Sequence, residues 1–220
     1  MIQPIKEDDQ AERGWVVRLD GEVLPRVSFL ELSNPAVGHL KYGWTTNGYD
    51  CWSYRENSGG GVVVVPYTHV NDELLIGAIE EIRPNQGGLA MNLPKGSVSV
   101  GEDHLTAARR ELNEETGLLN VPVEELPGKP LNPDPSFYDT SEHGTGARVY
   151  GSPVPSEWLT RDGEHWRVTA DHIDFSKQAV SCRDQEGIGE LFFIPWKEAV
   201  QLGDMFTVAA VARLIASLEG

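Results

Sequence analysis

The stretch GSVSVGEDHLTAARRELNEETGLL, Gly96 to Leu119, crowds Glu111, Glu114 and Glu115 into five residues and brackets them with glycines. A solvated helix face gains nothing from this, because like charges three and four residues apart repel. The cost points to a cation as the intended neighbour of the cluster. Asp103 is a good N-cap and Gly117 a good left-handed stop, so the spacing predicts a helix from Asp103 to Glu115. Leu105, Ala108 and Leu112 make its apolar stripe, and the three glutamates project from an adjoining face.

Upstream, VVVVPYT (62–68) and ELLIGAIEEI (73–82) read as strands joined by a turn at HVND. RPNQGG reads as a loop, and LAMNLPKG as a short strand ending in Pro94 and Gly96. Downstream, VPVEEL, ARVYGSPV and GELFFIPW read as strands, and TVAAVARLIASLE as an amphipathic C-terminal helix. Residues 1–57 are broken by Gly, Pro and Asn into short apolar stretches and read as a β-rich subdomain. NSGGG, Asn57 to Gly61, is its junction with a larger domain over 58–220. Residues 155–188 are polar and irregular and read as an insertion or lid. The order of strands and helices predicts a mixed α/β fold with a sheet between helices.

Composition narrows the function. With 40% hydrophobic residues the 220-residue chain has enough for a real core. Its net charge of −16 repels a nucleic-acid backbone, so no nucleic-acid partner is expected. An anionic substrate must meet positive charge supplied by a metal or by arginine. Cys51 and Cys182 make neither a zinc pattern nor a disulfide framework, and a reduced, cytoplasmic setting is expected. MIQPIKEDDQ has no apolar core of signal-peptide type, and no run is long enough to span a bilayer, so no membrane partner is expected. His39, His69, His104, His143, His165 and His172 show no metal-ligand spacing.

Written as a pattern, the opening stretch is Gly96, five residues, Glu102, seven residues, Arg110-Glu111-Leu112, one residue, Glu114-Glu115, one residue, Gly117-Leu118. This resembles the Nudix box, G-x5-E-x7-R-E-U-x-E-E-x-G-U with U aliphatic, at every fixed position. The resemblance implies a Nudix-type α/β/α sandwich around a mixed sheet. It also implies hydrolysis of a phosphorus anhydride assisted by Mg²⁺ or Mn²⁺. Divalent metals neutralise the phosphate oxygens and lower the pKa of bound water, and Mg²⁺ prefers oxygen ligands. By resemblance, Glu111, Glu114 and Glu115 are the metal ligands, completed by the backbone carbonyl of Lys95. Arg110 matches the arginine that orients these carboxylates; a plain surface ion pair with Glu114 is its other role. Glu102 reads as a structural residue at the helix start.

The chain shows no four-cysteine zinc site and no SQPWPFPxS-like stretch, which speaks against the NADH pyrophosphatase type. No coenzyme A pyrophosphatase pattern precedes the box. The arrangement is similar to the ADP-ribose pyrophosphatase group, which includes nucleoside diphosphate sugar hydrolases. A β-rich N-terminal segment precedes the box domain, EEIRP resembles that group's Q-[FY]-R-P, and Pro133 lies sixteen residues past Gly117. One feature departs: the group reads LPAG where this chain reads LPKG, a lysine more familiar from dinucleoside polyphosphate hydrolases. Lys95 either adds positive charge for a longer phosphate chain or points into solvent with only its carbonyl in use.

Further roles follow by the same resemblance. Arg83 is a candidate phosphate contact, or else a salt-bridge partner of Glu80 or Glu81. Trp52 is a candidate for stacking the base, or else a core or dimer-interface residue; Trp44 is a weaker candidate for the same place. The catalytic base is Glu190, just before the last strand, with Glu186, Glu142 and Glu115 as alternatives. The expected substrate is ADP-ribose or a nucleotide sugar, the expected products a nucleoside monophosphate and a sugar phosphate, and the expected assembly a homodimer built on the N-terminal subdomain. A dinucleoside polyphosphate hydrolase and a nucleotide-sensing domain without turnover are the alternatives.

Overall fold

The computed structural model describes residues 2–3, 18–23, 30–34, 38–45, 50–56, 60–83, 87–132, 146–174, 176 and 190–220. The chain forms two compact units, one of residues 1–59 with 132–145 and the other of 60–131 with 146–220.

The described secondary structure of the first unit is all strand: β1 (Ile2–Gln3), β2 (Arg18–Leu19), β3 (Glu22–Val23), β4 (Leu30–Asn34), β5 (Gly38–Thr45) and β6 (Asp50–Glu56). β2 and β3 pair around Asp20 and Gly21, both at positive φ, which suits a tight hairpin turn. β5 is the spine of the other sheet. It runs antiparallel to β6 along Gly38–Trp44 and to β4 and β1 along its opposite edge. The short, Gly- and Asn-punctuated stretches thus become hairpins, as their composition predicts.

The second unit holds β7 (Gly61–Val70), β8 (Glu73–Arg83), β9 (Gly88–Asn92), β10 (Lys95–Ser97), α1 (His104–Thr116), β11 (Glu124–Glu125), β12 (Ala147–Pro153), β13 (Leu159–Asp162), β14 (His165–Val168), β15 (Leu191–Pro195), α2 (Trp196–Ala199) and α3 (Met205–Glu219). Its sheet runs β11-β12-β7-β8-β15-β14-β13, with β10 also on β7 and β9 also on β8. β12 is parallel to β7 and the other pairings are antiparallel, so the sheet is mixed.

The valine run explains the layering. Val62 and Val64 join one core with Ala107, Ala108 and Leu112 of α1. Val63 and Val65 join the opposite core with Ala210, Val211 and Leu214 of α3. A strand covered on both faces reads as continuously apolar rather than alternating. The result is the expected α/β/α sandwich.

β7 and β8 are joined by Asn71 and Asp72, with φ of 51° and 66°, and pair only from Tyr67–Val70 to Glu73–Ile76. Beyond that they part. β10 pairs with the start of β7 and β9 with the end of β8. The split is stitched where the Val64 N–H donates to the Pro94 carbonyl at 2.8 Å. It places Lys95 and Gly96 between the two central strands, at the mouth of the glutamate helix.

Two expectations are corrected. VPVEEL gives only a two-residue strand, Glu124–Glu125, extended by the Leu126 N–H, which donates to the Val149 carbonyl at 2.8 Å. Within 155–188, read as irregular, Leu159–Asp162 and His165–Val168 form a hairpin that continues the sheet beyond β15. Trp158, Leu159, Trp166 and Val168 pack against the α1-side core, so this stretch has an apolar face. Past the hairpin, Ile173 bridges to Leu118, and the Asp174 N–H donates to the Gly117 carbonyl at 2.8 Å.

Candidate active site

The helix α1 is set by its caps. Asp103 Oδ1 accepts from the Thr106 N–H at 3.0 Å, and Gly117 sits at φ 70° with its N–H on the Asn113 carbonyl. Between those stops, Glu111 and Glu115 fall one turn apart, and both are buried. The backbone of β10 closes over them. At Gly96 a side chain would displace the Glu111 carboxylate, since a Cβ there would lie 2.1 Å from Glu111 Oε1. The glycine is therefore required for close approach rather than for a turn.

Arg110 is the organiser of the polar face. Its Nε donates to Glu102 Oε1 at 3.0 Å and its Nη2 to Glu102 Oε2 at 3.0 Å, a two-pronged grip. Nη1 donates to Glu111 at 2.7 Å and to Glu114 at 3.1 Å, and Nη2 also reaches the Ser97 carbonyl at 2.9 Å. Arg110 thus joins three carboxylates to the β10 backbone, which is far more than a surface pair with Glu114. The bond from Arg110 holds the Glu102 carboxyl below its ordinary range, and the same contact, chiefly, keeps Arg110 more firmly protonated. Glu102 also accepts the Ser99 N–H at 2.9 Å, which fits a structural role at the helix start.

Glu115 is 4% exposed and accepts the Lys95 N–H at 2.9 Å. Burial pushes its carboxyl well above the ordinary carboxylate range, and the charges of Glu111 and Glu81 push the same way. The Lys95 hydrogen bond and charge oppose this without overcoming it.

A second cluster abuts the first. Glu81 on β8 is 1% exposed. Its Oε1 accepts from Asn92 Nδ2 at 2.5 Å and from Lys95 Nζ at 3.2 Å, while Oε2 faces Arg83 Nη2 at 2.7 Å. Sequence reasoning met Glu81 only as a salt-bridge partner for Arg83. The available signal was its place on β8 two residues beyond Ile79, on the face that enters the core.

The other anticipated residues are placed as follows. Arg83 is 43% exposed and anchored on Glu81. Trp52 lies on β6 in the first unit, its ring 4.9 Å from that of buried Tyr42. Trp44 contributes backbone to β5, and its side chain lies outside the described residues. The Glu190 side chain is 61% exposed and its carboxylate pairs with Arg167 of β14. Its carbonyl accepts the Glu80 N–H at 3.2 Å, which leads the chain into β15. Glu186, Glu142 and Pro133 lie outside the described residues. Among the described residues, no three His, Cys, Asp or Glu side chains stand together as a metal-ligand set. Glu111 and Glu114 are taken up by Arg110, and Glu115 by the Lys95 N–H.

Residues 60–208 match the family model of the NUDIX domain. The chain belongs to the NUDIX family. As a NUDIX hydrolase it acts on a phosphorus anhydride, and its substrate is of nucleotide type. Its fold is similar to that of a crystal structure of an ADP compounds hydrolase, with a TM-score of 0.54 at 15% identity, covering 87% of this chain and 92% of that one. It is also similar to a chain from Listeria monocytogenes assigned as a NUDIX hydrolase, with a TM-score of 0.48 at 17% identity, covering 73% of this chain and 94% of that one. No described helix of this NUDIX protein is long and apolar enough to cross a membrane.

Proposed function

We propose that the protein hydrolyses the diphosphate linkage of a nucleoside diphosphate joined to another moiety, ADP-ribose or a nucleotide sugar. The products are a nucleoside monophosphate and a sugar phosphate. The observation that carries this is the buried Glu111 and Glu115 pair, packed under the side-chain-free backbone of Gly96 and flanked by Glu114.

The donor set fits a divalent cation. It is all oxygen, and the burial that makes Glu115 a poor anion when alone is the burial a cation relieves. Glu111, Glu114, Glu115 and the Lys95 carbonyl would hold Mg²⁺ or Mn²⁺. A bound ion would neutralise phosphate charge and lower the pKa of a bound water. The chain does the rest. Arg110 orients the carboxylates, and the Lys95 N–H fixes the Glu115 head group. Arg83 presents a half-exposed guanidinium to the phosphates, held in place by Glu81. Glu190 is the proposed base. Glu115 is the second candidate, as a carboxylate of the box itself. Trp52 remains the base-stacking candidate on its sequence position. A homodimer in a cytoplasmic setting completes the reading.

The dinucleoside polyphosphate alternative rested on Lys95, whose ammonium is engaged by Glu81. The test is a panel of ADP-ribose, nucleotide sugars, NADH and diadenosine polyphosphates with Mg²⁺. A phosphatase coupled to the assay releases phosphate from the phosphomonoester products, and the Glu115→Gln protein is the blank. Turnover led by a diphosphate sugar is expected. Turnover led by diadenosine tetraphosphate would discard the reading, and binding without any turnover would favour a nucleotide sensor.

A further inference from the structure

We propose that Glu81 and Lys95 act as one positioning unit for Glu115, and that the Lys95 ammonium is committed to Glu81 rather than offered to substrate. The inference rests on the reading above only in giving Glu115 a part in the reaction.

Glu81 stands where an unpaired carboxylate is costly, at 1% exposure on a central strand. One of its donors comes from the neighbouring strand, Asn92 at the end of β9, and another from its own strand, Arg83 further along β8. Lys95 alone reaches it from the start of the glutamate box. Among the described residues the Lys95 charge also acts on the Glu115 carboxyl, and a further acid, Asp204 Oδ2, lies 3.9 Å away. That oxygen already accepts the Thr207 N–H at 3.0 Å and the Thr207 hydroxyl at 2.8 Å, as the cap of α3. Glu81 is thus the principal partner, and the Lys95 side chain is only 18% exposed.

The other end of the same residue holds the glutamate helix, since the Lys95 N–H donates to Glu115 Oε2 at 2.9 Å. Lys95 therefore ties β8 to α1 through two bonds, one at the ammonium and one at the peptide. The preceding residue is fixed by Val64 and the following one by Glu111, so the peptide has little slack. Releasing the ammonium removes the side-chain anchor of the residue whose N–H holds Glu115, and leaves only the backbone pairing with β7 to keep it in place. Removing either charge alone leaves a buried ion short of its partner, whereas removing both leaves a neutral contact of similar shape. Glu81 and Lys95 are also the two positions where this sequence carries charge against the Gln and Ala of the patterns Q-[FY]-R-P and LPAG.

The test is a double-mutant cycle on Glu81→Gln and Lys95→Met, read by kcat, KM and calorimetric Mg²⁺ titration. Each single change is expected to lower kcat about tenfold and weaken Mg²⁺ binding, with KM moved less than about twofold in Lys95→Met, whereas Glu81→Gln also loosens Arg83 and raises KM; in kcat and Mg²⁺ affinity the double variant should return to within about threefold of wild type. Losses that simply multiply in the double variant would overturn the proposal. So would a Lys95→Met protein with raised KM and intact kcat, which would mean direct contact with substrate. If no substrate of the panel is turned over, the proposed function fails but the cycle still reads out in Mg²⁺ affinity, where additive losses overturn the pair. If the single variants do not fold, a folded double variant supports the unit and an unfolded one refutes it.

Discussion

Gly96 and Glu111 are in contact with no room between them: a Cβ on Gly96 would lie 2.1 Å from Glu111 Oε1 and 2.2 Å from its carboxyl carbon. Neither partner yields easily. Gly96 is paired with Val62 of the central strand, and Glu111 sits on a helix packed into the core. Gly96→Ala must therefore push the carboxylate aside. A displacement of about 1 Å at a reacting centre costs on the order of a hundredfold, so kcat should fall by that much while the protein still folds. Steady-state kinetics beside thermal unfolding checks this, and a wild-type rate in the alanine variant would show that Glu111 is not used where it stands.

Glu115 gives a prediction whose sign depends on metal. Its carboxyl is pushed well above the ordinary carboxylate range, chiefly by burial. The folded state then binds that proton more tightly than the unfolded chain does. Stability from this group is fully present below the ordinary carboxylate range and is lost as pH rises through the raised value. Metal-free protein should therefore lose stability between about pH 4.5 and the raised value. Glu115→Gln, which carries no charge, should raise the neutral-pH Tm of the metal-free protein and remove this part of the pH dependence. The same substitution should abolish turnover. A lower Tm in the Gln variant, with EDTA present at pH 7.5, would contradict the burial argument.

Arg110 makes five hydrogen bonds, to three carboxylates and one carbonyl. Lysine has the charge but not the fork, and cannot hold Glu102 with two donors while reaching Glu111. Arg110→Lys should lower kcat about tenfold or more and destabilise the fold by about 1–3 kcal/mol. Denaturant unfolding and kinetics on one preparation measure both. Full activity in the lysine variant would reduce Arg110 to a source of charge.

Trp52 is tested by KM. Loss of a stacking surface weakens binding more than chemistry, so Trp52→Ala should raise KM several-fold, by the roughly 1–3 kcal/mol that base stacking contributes, with kcat nearly kept. Trp52 also packs on Tyr42, so the variant's thermal stability must be followed alongside. An unchanged KM with a lowered Tm would make Trp52 a packing residue only.

The sequence was most legible where local chemistry decides. The caps at Asp103 and Gly117, the turn at Asn71 and Asp72 and the two-faced valine strand each follow from a few adjacent residues. The glutamate box was readable for the same reason, since one helix turn brings Glu111 and Glu115 together. What could not be read depends on tertiary pairing. Glu81 and Lys95 are fourteen residues apart and meet only because β7 and β8 part and let β9 and β10 in. The hairpin of β13 and β14 was hidden by its polar outer face, although Trp158, Leu159, Trp166 and Val168 supply the apolar one.

The choice of base separates two carboxylates in opposite environments. Glu190 is exposed and held by Arg167, whose guanidinium also faces Asp162 and lies 4.7 Å from the Phe192 ring. Glu115 is buried and already favours its proton. If Glu190 is the base, Glu190→Gln should cost on the order of a hundredfold or more in kcat with KM little changed, as loss of a general base does. A Glu190→Gln protein at near wild-type rate would move the base to Glu115 or Glu142 and leave Glu190 as the residue that leads the chain into β15.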